Sequence, residues 1–324
     1  MSTAPGQANL AALLDRGDEY ARAGDAKAAM SFYQAALQTA RASPYADGQT
    51  LGRLRGAQEF IQRRAREFEE SLDRALTDFR PEDPTAQARL THSLEMLKGR
   101  RQIFPQQPSV LYYPYLAQRQ FFEREEFEWA AELEAATPLI REELTALLGE
   151  GADFRPYIED DRDRPRRDFH GLNQDPSWSA LYLWRDSRVV EENARRCPRT
   201  MEALGKVPQS NIGARTPAVL FSRLEPGAHI PPHHGMLNCR LICHLPLIVP
   251  PGCWLRVGNE TREWEEGKLL IFDDSIQHEA KNPTGELRII LLFDVWRPEL
   301  TEAERQGISA IFEAIDTFQT LPDA

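Results

Sequence analysis

Ser222 to Leu245 reads SRLEPGAHIPPHHGMLNCRLICHL, Trp264 to Glu279 reads WEEGKLLIFDDSIQHE, and Glu286 to Trp296 reads ELRIILLFDVW. These stretches set two histidines, His233 and His278, about 45 residues apart, each beside a strand-like run. Arg288 follows the second histidine by about ten residues, inside a further strand-like run. A double-stranded β-helix, in which two short sheets roll together, brings such positions to one mouth. Two imidazoles there can hold Fe(II), whose common protein site is two histidines and one carboxylate. Arg288 sits in an apolar run where an unpaired charge is costly. Its planar guanidinium can grip a carboxylate through two contacts, such as the far carboxylate of 2-oxoglutarate, or pair with an acid of the protein. The acid that such iron sites commonly carry two residues after the first histidine is replaced by Gly235.

The words PPHHG, NCRLxxHL, WEEGKLLIFDDSxxHE and FDVWRPELT resemble the aspartyl/asparaginyl β-hydroxylase family. The resemblance is close from Ser222 to Thr301. It extends loosely upstream to Gln107–Leu111, Leu133–Pro138 and Trp178–Trp184. It implies an Fe(II)- and 2-oxoglutarate-dependent dioxygenase that hydroxylates an unactivated C–H bond, with an Asp or Asn side chain of a peptide or protein as one candidate substrate. Small-molecule and lipid substrates are served by the same fold. Carried over position by position, His233 and His278 are the metal ligands, with His234 as a neighbouring alternative to His233. Arg288 holds the cosubstrate's far carboxylate, Ser222 helps bind the same cosubstrate, and His244 stands near its other end. Trp184, His234 and Arg240 fall on the substrate side.

Two departures matter. The family often has an arginine two residues before the histidine at 244, and this chain has Ile242. Strand alternation puts Arg240, Ile242 and His244 on one face, so Arg240 could compensate. Gly235 leaves a coordination position that water fills in the resembled family and a halide fills in some halogenating oxygenases. Asp273 or Asp274 could also reach the metal, although Asp274 with Ser275 reads equally as a turn cap. Cys239 and Cys243 beside the histidine pair raise a zinc site as an alternative, without the tight spacing of a zinc knuckle. A rival of another class is a non-catalytic helical-repeat adaptor carrying a degenerate β-helix domain.

The chain has 324 residues, 41% hydrophobic and 27% charged, with a net charge of −11. That length supports one large or two modest domains. The acidic balance argues against a nucleic-acid surface, and the basic cluster Arg162, Arg164, Arg166 and Arg167 is interleaved with acids. No apolar run of about 18 residues suggests a membrane span. The first ten residues carry no basic start followed by an apolar stretch. Four cysteines, Cys197, Cys239, Cys243 and Cys253, read as reduced thiols, and a cytoplasmic location is expected.

The expected fold class is α+β: a helical, tetratricopeptide-like region over residues 1–102, then a jelly-roll or cupin-like double-stranded β-helix over 103–324 with flanking helices. Leu10 to Ala40 reads as a helical hairpin with Gly17, Tyr20, Gly24, Ala28 or Ala29, Tyr33 and Ala36 near the spacing of one repeat. An ordinary amphipathic bundle is an equal reading. Further helices are expected over Thr50–Phe79, Thr85–Leu97, Glu123–Leu148 and Thr301–Phe318. The last has Thr301 as N-cap and Glu304 at the third helical position. Asp153 to Asn173 reads as a loop over the domain mouth. Strands are expected at 219–221, 241–249, 254–257, 268–272 and 287–295, separated by turns at Glu225-Pro226-Gly227, Pro250-Pro251-Gly252 and Pro283-Thr284-Gly285.

Overall fold

The computed structural model describes residues 5–42, 47–77, 79, 81–160 and 168–319; Arg162, Arg164, Arg166 and Arg167 lie outside them. Two compact units divide the chain, Met1–Gln102 and Ile103–Ala324.

The first unit is helical: α1 Pro5–Arg22, α2 Ala26–Ala42, α3 Gly48–Leu76 and α4 Pro84–Leu97. Gly24, at φ +82°, makes the turn between α1 and α2. The Asp25 carboxylate then accepts from the Ala28 N–H at 2.9 Å, satisfying an orphan donor of the new helix. Gly17 faces the Tyr33 ring so closely that a Cβ there would enter it, which fixes the α1–α2 approach. Tyr33 donates to Asp18 at 2.8 Å, and Arg53 of α3 meets the same carboxylate at 2.6 Å. Leu14, Ala29, Tyr33 and Ala36 bury against Leu54 and Ala57 of α3, making a three-helix core. No residue of α4 is fully buried. Its start is capped instead, by Asp83 accepting from the Thr85 N–H at 3.0 Å.

The second unit carries β1 Phe121–Phe122, β2 Arg155–Pro156, β3 Trp178–Arg185, β4 Arg188–Val189, β5 Val219–Leu224, β6 His229–His233, β7 Arg240–Ile248, β8 Trp254–Val257, β9 Glu260–Glu263, β10 Leu270–Phe272, β11 His278–Lys281 and β12 Arg288–Trp296. Its helices are α5 Ala130–Ala135, α6 Thr137–Gly149, α7 Glu191–Ala194, α8 Pro198–Leu204 and α9 Glu302–Gln319. Among the described residues the strands form two antiparallel sheets. The larger runs β1-β10-β7-β12-β5-β3-β2 with β4 beside β3; the smaller runs β6-β11-β8-β9. This is the double-stranded β-helix expected from the turns and strand runs, preceded by a helical region.

Strand alternation sorts the side chains of the large sheet. On β12, Ile289, Leu291, Phe293 and Val295 face outward into a core closed by α5, α6 and α8. Each such side chain contributes about 1.5–3 kcal/mol by burial, so this layer is the main apolar support of the sheet. Arg288, Ile290 and Leu292 face inward, toward the smaller sheet. Both faces of β12 are therefore buried, which is why its sequence runs apolar from Ile289 to Phe293 without alternation.

The expected helix over Glu123–Leu148 is broken into a 3₁₀ turn, α5 and α6. Pro138 starts α6 and cannot supply the N–H that a continuous helix would need. At the far end, Thr301 and Glu304 cap α9 reciprocally: the Glu304 carboxylate accepts from the Thr301 N–H at 2.8 Å, and Thr301 Oγ1 accepts from the Glu304 N–H at 3.3 Å. The four cysteines are free and buried.

Candidate functional site

A cavity of about 400 Å³ lies between the inner faces of the two sheets. Five strands supply six of its polar side chains: Ser222 from β5, His233 from β6, Arg240 and His244 from β7, His278 from β11 and Arg288 from β12. His234 and Asp274 line it from the turns after β6 and before β11.

His233 and His278 are directly opposite in the β6–β11 ladder, with ring centroids 4.0 Å apart. Each Nδ1 lies against a backbone carbonyl two residues earlier, Pro231 O at 2.8 Å and Ile276 O at 3.1 Å. A carbonyl can only accept, so each Nδ1 carries the proton and each Nε2 keeps its lone pair. Burial pulls both imidazoles below the ordinary histidine pKa, His278 well below, so they are neutral at neutral pH. Among the described residues no group of three or more His, Cys, Asp or Glu side chains gathers at metal-holding distance.

The space a side chain at position 235 would fill is taken. A Cβ built on Gly235 would fall within the Asp274 carboxylate. Gly235 N–H also donates to the Asp274 carbonyl at 2.7 Å. Asp274 pairs with Arg240 at 3.1 Å, and its Oδ1 is buried with no protein partner. The turn cap expected of Asp274 belongs instead to Asp273. Its Oδ1 accepts from Ser275 N at 3.0 Å and Ser275 Oγ at 2.5 Å. Its Oδ2 accepts from Arg297 at 2.8 Å, in a pair with no solvent exposure on either side. Gln106 completes that network by donating to the same oxygen at 2.6 Å. Removing one member of such a pair costs about 3–5 kcal/mol, so the Asp273-Asp274-Ser275 turn that leads into β11 is firmly held.

Arg288 is 1% exposed. Its Nη1 donates to Ser222 O at 3.1 Å and Ser222 Oγ at 3.4 Å, while Nε has no partner. Its guanidinium lies 4.7 Å over the Trp264 ring. Among the described residues no acid pairs with it, and burial pulls its pKa down to about 9. An arginine that keeps its charge in such a place calls for an anion from outside the protein. Trp264 Nε1 also donates to His244 Nδ1 at 3.3 Å, which turns the Nε2–H of the neutral His244 outward as a donor. Burial, then the Arg288 charge, holds His244 well below the usual histidine range.

The site residues expected from sequence are thus brought together, with one correction. Trp184 does not line the cavity. The β3–β5 register shifts between Tyr182 and Trp184, and that bulge turns Trp184 to the helix side, against the outer core. Trp178 takes the inner face of β3, stacked on Tyr157 at 4.0 Å and donating to Ser222 Oγ at 3.3 Å. Trp264 orients both Arg288 and His244. Tyr157, Ile158 and Phe169, from described parts of the 153–173 segment, also line the cavity.

The family model "Aspartyl/Asparaginyl beta-hydroxylase" matches residues 134–298, just over half of the chain. The chain is 39% identical over 185 residues to a human aspartyl/asparaginyl beta-hydroxylase, covering 57% of this chain and 23% of that protein. It is 36% identical over 191 residues to the ornithine lipid ester-linked acyl 2-hydroxylase of Rhizobium tropici, covering 58% of this chain and 64% of that one. It is 39% identical over 147 residues to the human aspartate beta-hydroxylase domain-containing protein 2, covering 44% of this chain and 40% of that protein. The chain therefore spans less than two thirds of each of these relatives. Every residue lining the cavity from Tyr157 to Leu292 lies within the matched segment, and the chain belongs to the aspartyl/asparaginyl β-hydroxylase family.

Proposed function

We propose that the second unit is an Fe(II)- and 2-oxoglutarate-dependent hydroxylase. The observation that carries this reading is Arg288: a buried guanidinium with no acid partner among the described residues, in the same cavity as a pair of neutral histidines. The donor set fits the metal. Two imidazoles with their protons held on Nδ1 by backbone carbonyls present Nε2 lone pairs, and neutral imidazole suits divalent iron. The Arg288 site fits a dicarboxylate. The guanidinium, Ser222 Oγ and the outward Nε2–H of His244 form a donor set with no competing acid among the described residues.

When bound, iron and 2-oxoglutarate use dioxygen to convert the oxo acid to succinate and carbon dioxide and a substrate C–H to C–OH. The protein's own residues orient and exclude water. Arg288 and Ser222 fix the dicarboxylate's far end. Trp264 holds the arginine by its ring face and His244 by its N–H. Trp178, Tyr157 and Phe169 wall the cavity with aromatic surface. Asp274, neutralised by Arg240, occupies the volume that a side chain at position 235 would need.

The relatives' names offer two substrate types, an Asp or Asn side chain and a lipid acyl chain. Either class of partner, peptide or protein on one side and small molecule on the other, is consistent with this reading. No helix among the described residues is long and apolar enough to cross a membrane. Succinate release by the iron-loaded chain over a panel of peptides and acyl amides tests the reading. Release that needs both iron and 2-oxoglutarate is expected. No dicarboxylate binding and no release across the panel would contradict it.

A further inference from the structure

We propose that the cavity accepts an uncharged aliphatic chain and rejects a carboxylate side chain. This rests on the proposed function, because it assigns Arg288 to the cosubstrate. Among the described residues the charged side chains lining the cavity are few: Arg240, Asp274 and Arg288. Arg240 is already matched. It pairs with Asp274 at 3.1 Å, and Asp294, adjacent to it in the β7–β12 layer, adds a second negative field. His244 Nδ1 accepts from Trp264 Nε1, which leaves that imidazole uncharged, and His233 and His278 are assigned to the metal. Once the cosubstrate meets Arg288, no cationic side chain lining the cavity among the described residues is left without an acid, and the metal's remaining position is needed for dioxygen. An anion placed there would be desolvated without a partner.

The remaining surface is aliphatic and aromatic. Ile242 stands on β7 between Arg240 and His244 on the same face, and Ile290 and Leu292 follow Arg288 along β12. Ile230 and Ala280 face them from the smaller sheet. The apolar surface continues to the rim. Met236 lines the cavity yet is 40% exposed, and the neighbouring Val110, 52% exposed, donates its N–H to the Met236 carbonyl at 3.0 Å. An aliphatic chain thus meets apolar side chains from rim to interior, whereas an acidic side chain gains nothing on the way in. Ile242 is the specificity position, because it is the apolar residue set between the two polar ones of the β7 face.

The test titrates the full chain, saturated with zinc(II) and 2-oxoglutarate, with hexanamide, N-acetylleucinamide and N-acetylaspartate amide in ligand-observed NMR. Binding of 2-oxoglutarate is measured separately. Either neutral probe is expected to bind at least about tenfold more tightly than the aspartate probe. Hexanamide preferred over the leucine amide points to an acyl substrate, and the reverse to a peptide side chain. Ile242→Arg is expected to reverse the order of the neutral and acidic probes. Equal or tighter binding of the aspartate probe by the parent would overturn the proposal, as would absence of binding by both neutral probes. If 2-oxoglutarate itself fails to bind, the cosubstrate reading falls instead. The same three probes on Arg288→Met, which carries no unmatched cation and needs no cosubstrate, then still decide between the neutral and the acidic ligand.

Discussion

His233 and His278 stand as a register pair across the β6–β11 ladder, each with its Nδ1 tied to a carbonyl of its own strand or turn. Ladder geometry, rather than loop conformation, sets their separation. Rigid backbone placement of this kind is what a preorganised metal site requires. Replacing either histidine with alanine removes one of two nitrogen donors. Affinity for a divalent metal, measured by calorimetry with manganese or cobalt, should fall at least about 100-fold, more than loss of an outer hydrogen-bond partner causes. Far-ultraviolet circular dichroism should stay unchanged, since both rings lie in the cavity rather than in the helix-side core.

Arg288→Met should separate cosubstrate from metal. The buried, two-contact ion pair is worth about 2–4 kcal/mol, or roughly 30- to 1,000-fold in 2-oxoglutarate affinity. Metal affinity should change little, because Arg288 contacts Ser222 and Trp264 and neither histidine of the pair. Unaltered 2-oxoglutarate affinity would make Arg288 a structural residue.

Trp264→Leu removes the N–H that fixes the His244 tautomer and the ring beneath Arg288. These two interactions contribute about 1–2 kcal/mol together, so 2-oxoglutarate binding should weaken about 5- to 30-fold. Trp264→Phe keeps the ring and loses only the donor, and should recover part of that loss. Equal loss in both variants would locate the whole effect in the hydrogen bond.

Gly235→Ala should destabilise the chain by about 1–3 kcal/mol in denaturant unfolding, since its Cβ must displace the Asp274 carboxylate. Gly235→Ala with Asp274→Gly frees that volume and should recover part of the loss, although Arg240 is then left without its acid. A neutral effect of Gly235→Ala alone would show that the Asp274 side chain has room to move.

Asp294 accepts from Ser210 Oγ at 2.6 Å inside the sheet, and burial pushes its carboxyl up to about 6. A carboxyl whose folded pKa is raised binds more protons in the folded chain. Its contribution is therefore full below the unfolded value, about 4, and is lost as pH rises through about 6. Asp294→Asn should gain stability relative to the parent between pH 4 and pH 7, by about 2–3 kcal/mol from that shift. A difference that does not vary with pH would show that Asp294 titrates normally.

The sequence made much of this readable, for reasons that lie in particular residues. β5, β7 and β12 stand out because both of their faces are largely buried, so apolar residues occupy both faces and are interrupted only by a few polar ones such as Ser222, His244 and Asp294. The α9 start is legible from Thr301 and Glu304 alone, since a capping box is local. β6 is harder, because its Pro231-Pro232 pair argues against a strand. It is accommodated at the edge of the smaller sheet, where missing N–H groups break no ladder bond. The Trp184 expectation failed on a bulge, and nothing in WSALYLW marks where alternation slips. The exchange of space between Gly235 and Asp274 is a contact between residues far apart in sequence, and only the folded backbone reveals it. Trp264 was present in the most specific word of the sequence, yet its two roles depend on Arg288 and His244, which lie on other strands.

The central claim is that the two histidines and Arg288 form one site for iron and a 2-oxo dicarboxylate. Its most direct test is an anaerobic titration of the full chain with Fe(II) and 2-oxoglutarate, followed by visible absorption. A charge-transfer band from iron chelated by the 2-oxo acid should grow to one equivalent. It should fail to appear with succinate in place of 2-oxoglutarate and in His278→Ala. Absence of the band in the parent chain, or an undiminished band in His278→Ala, would contradict the account.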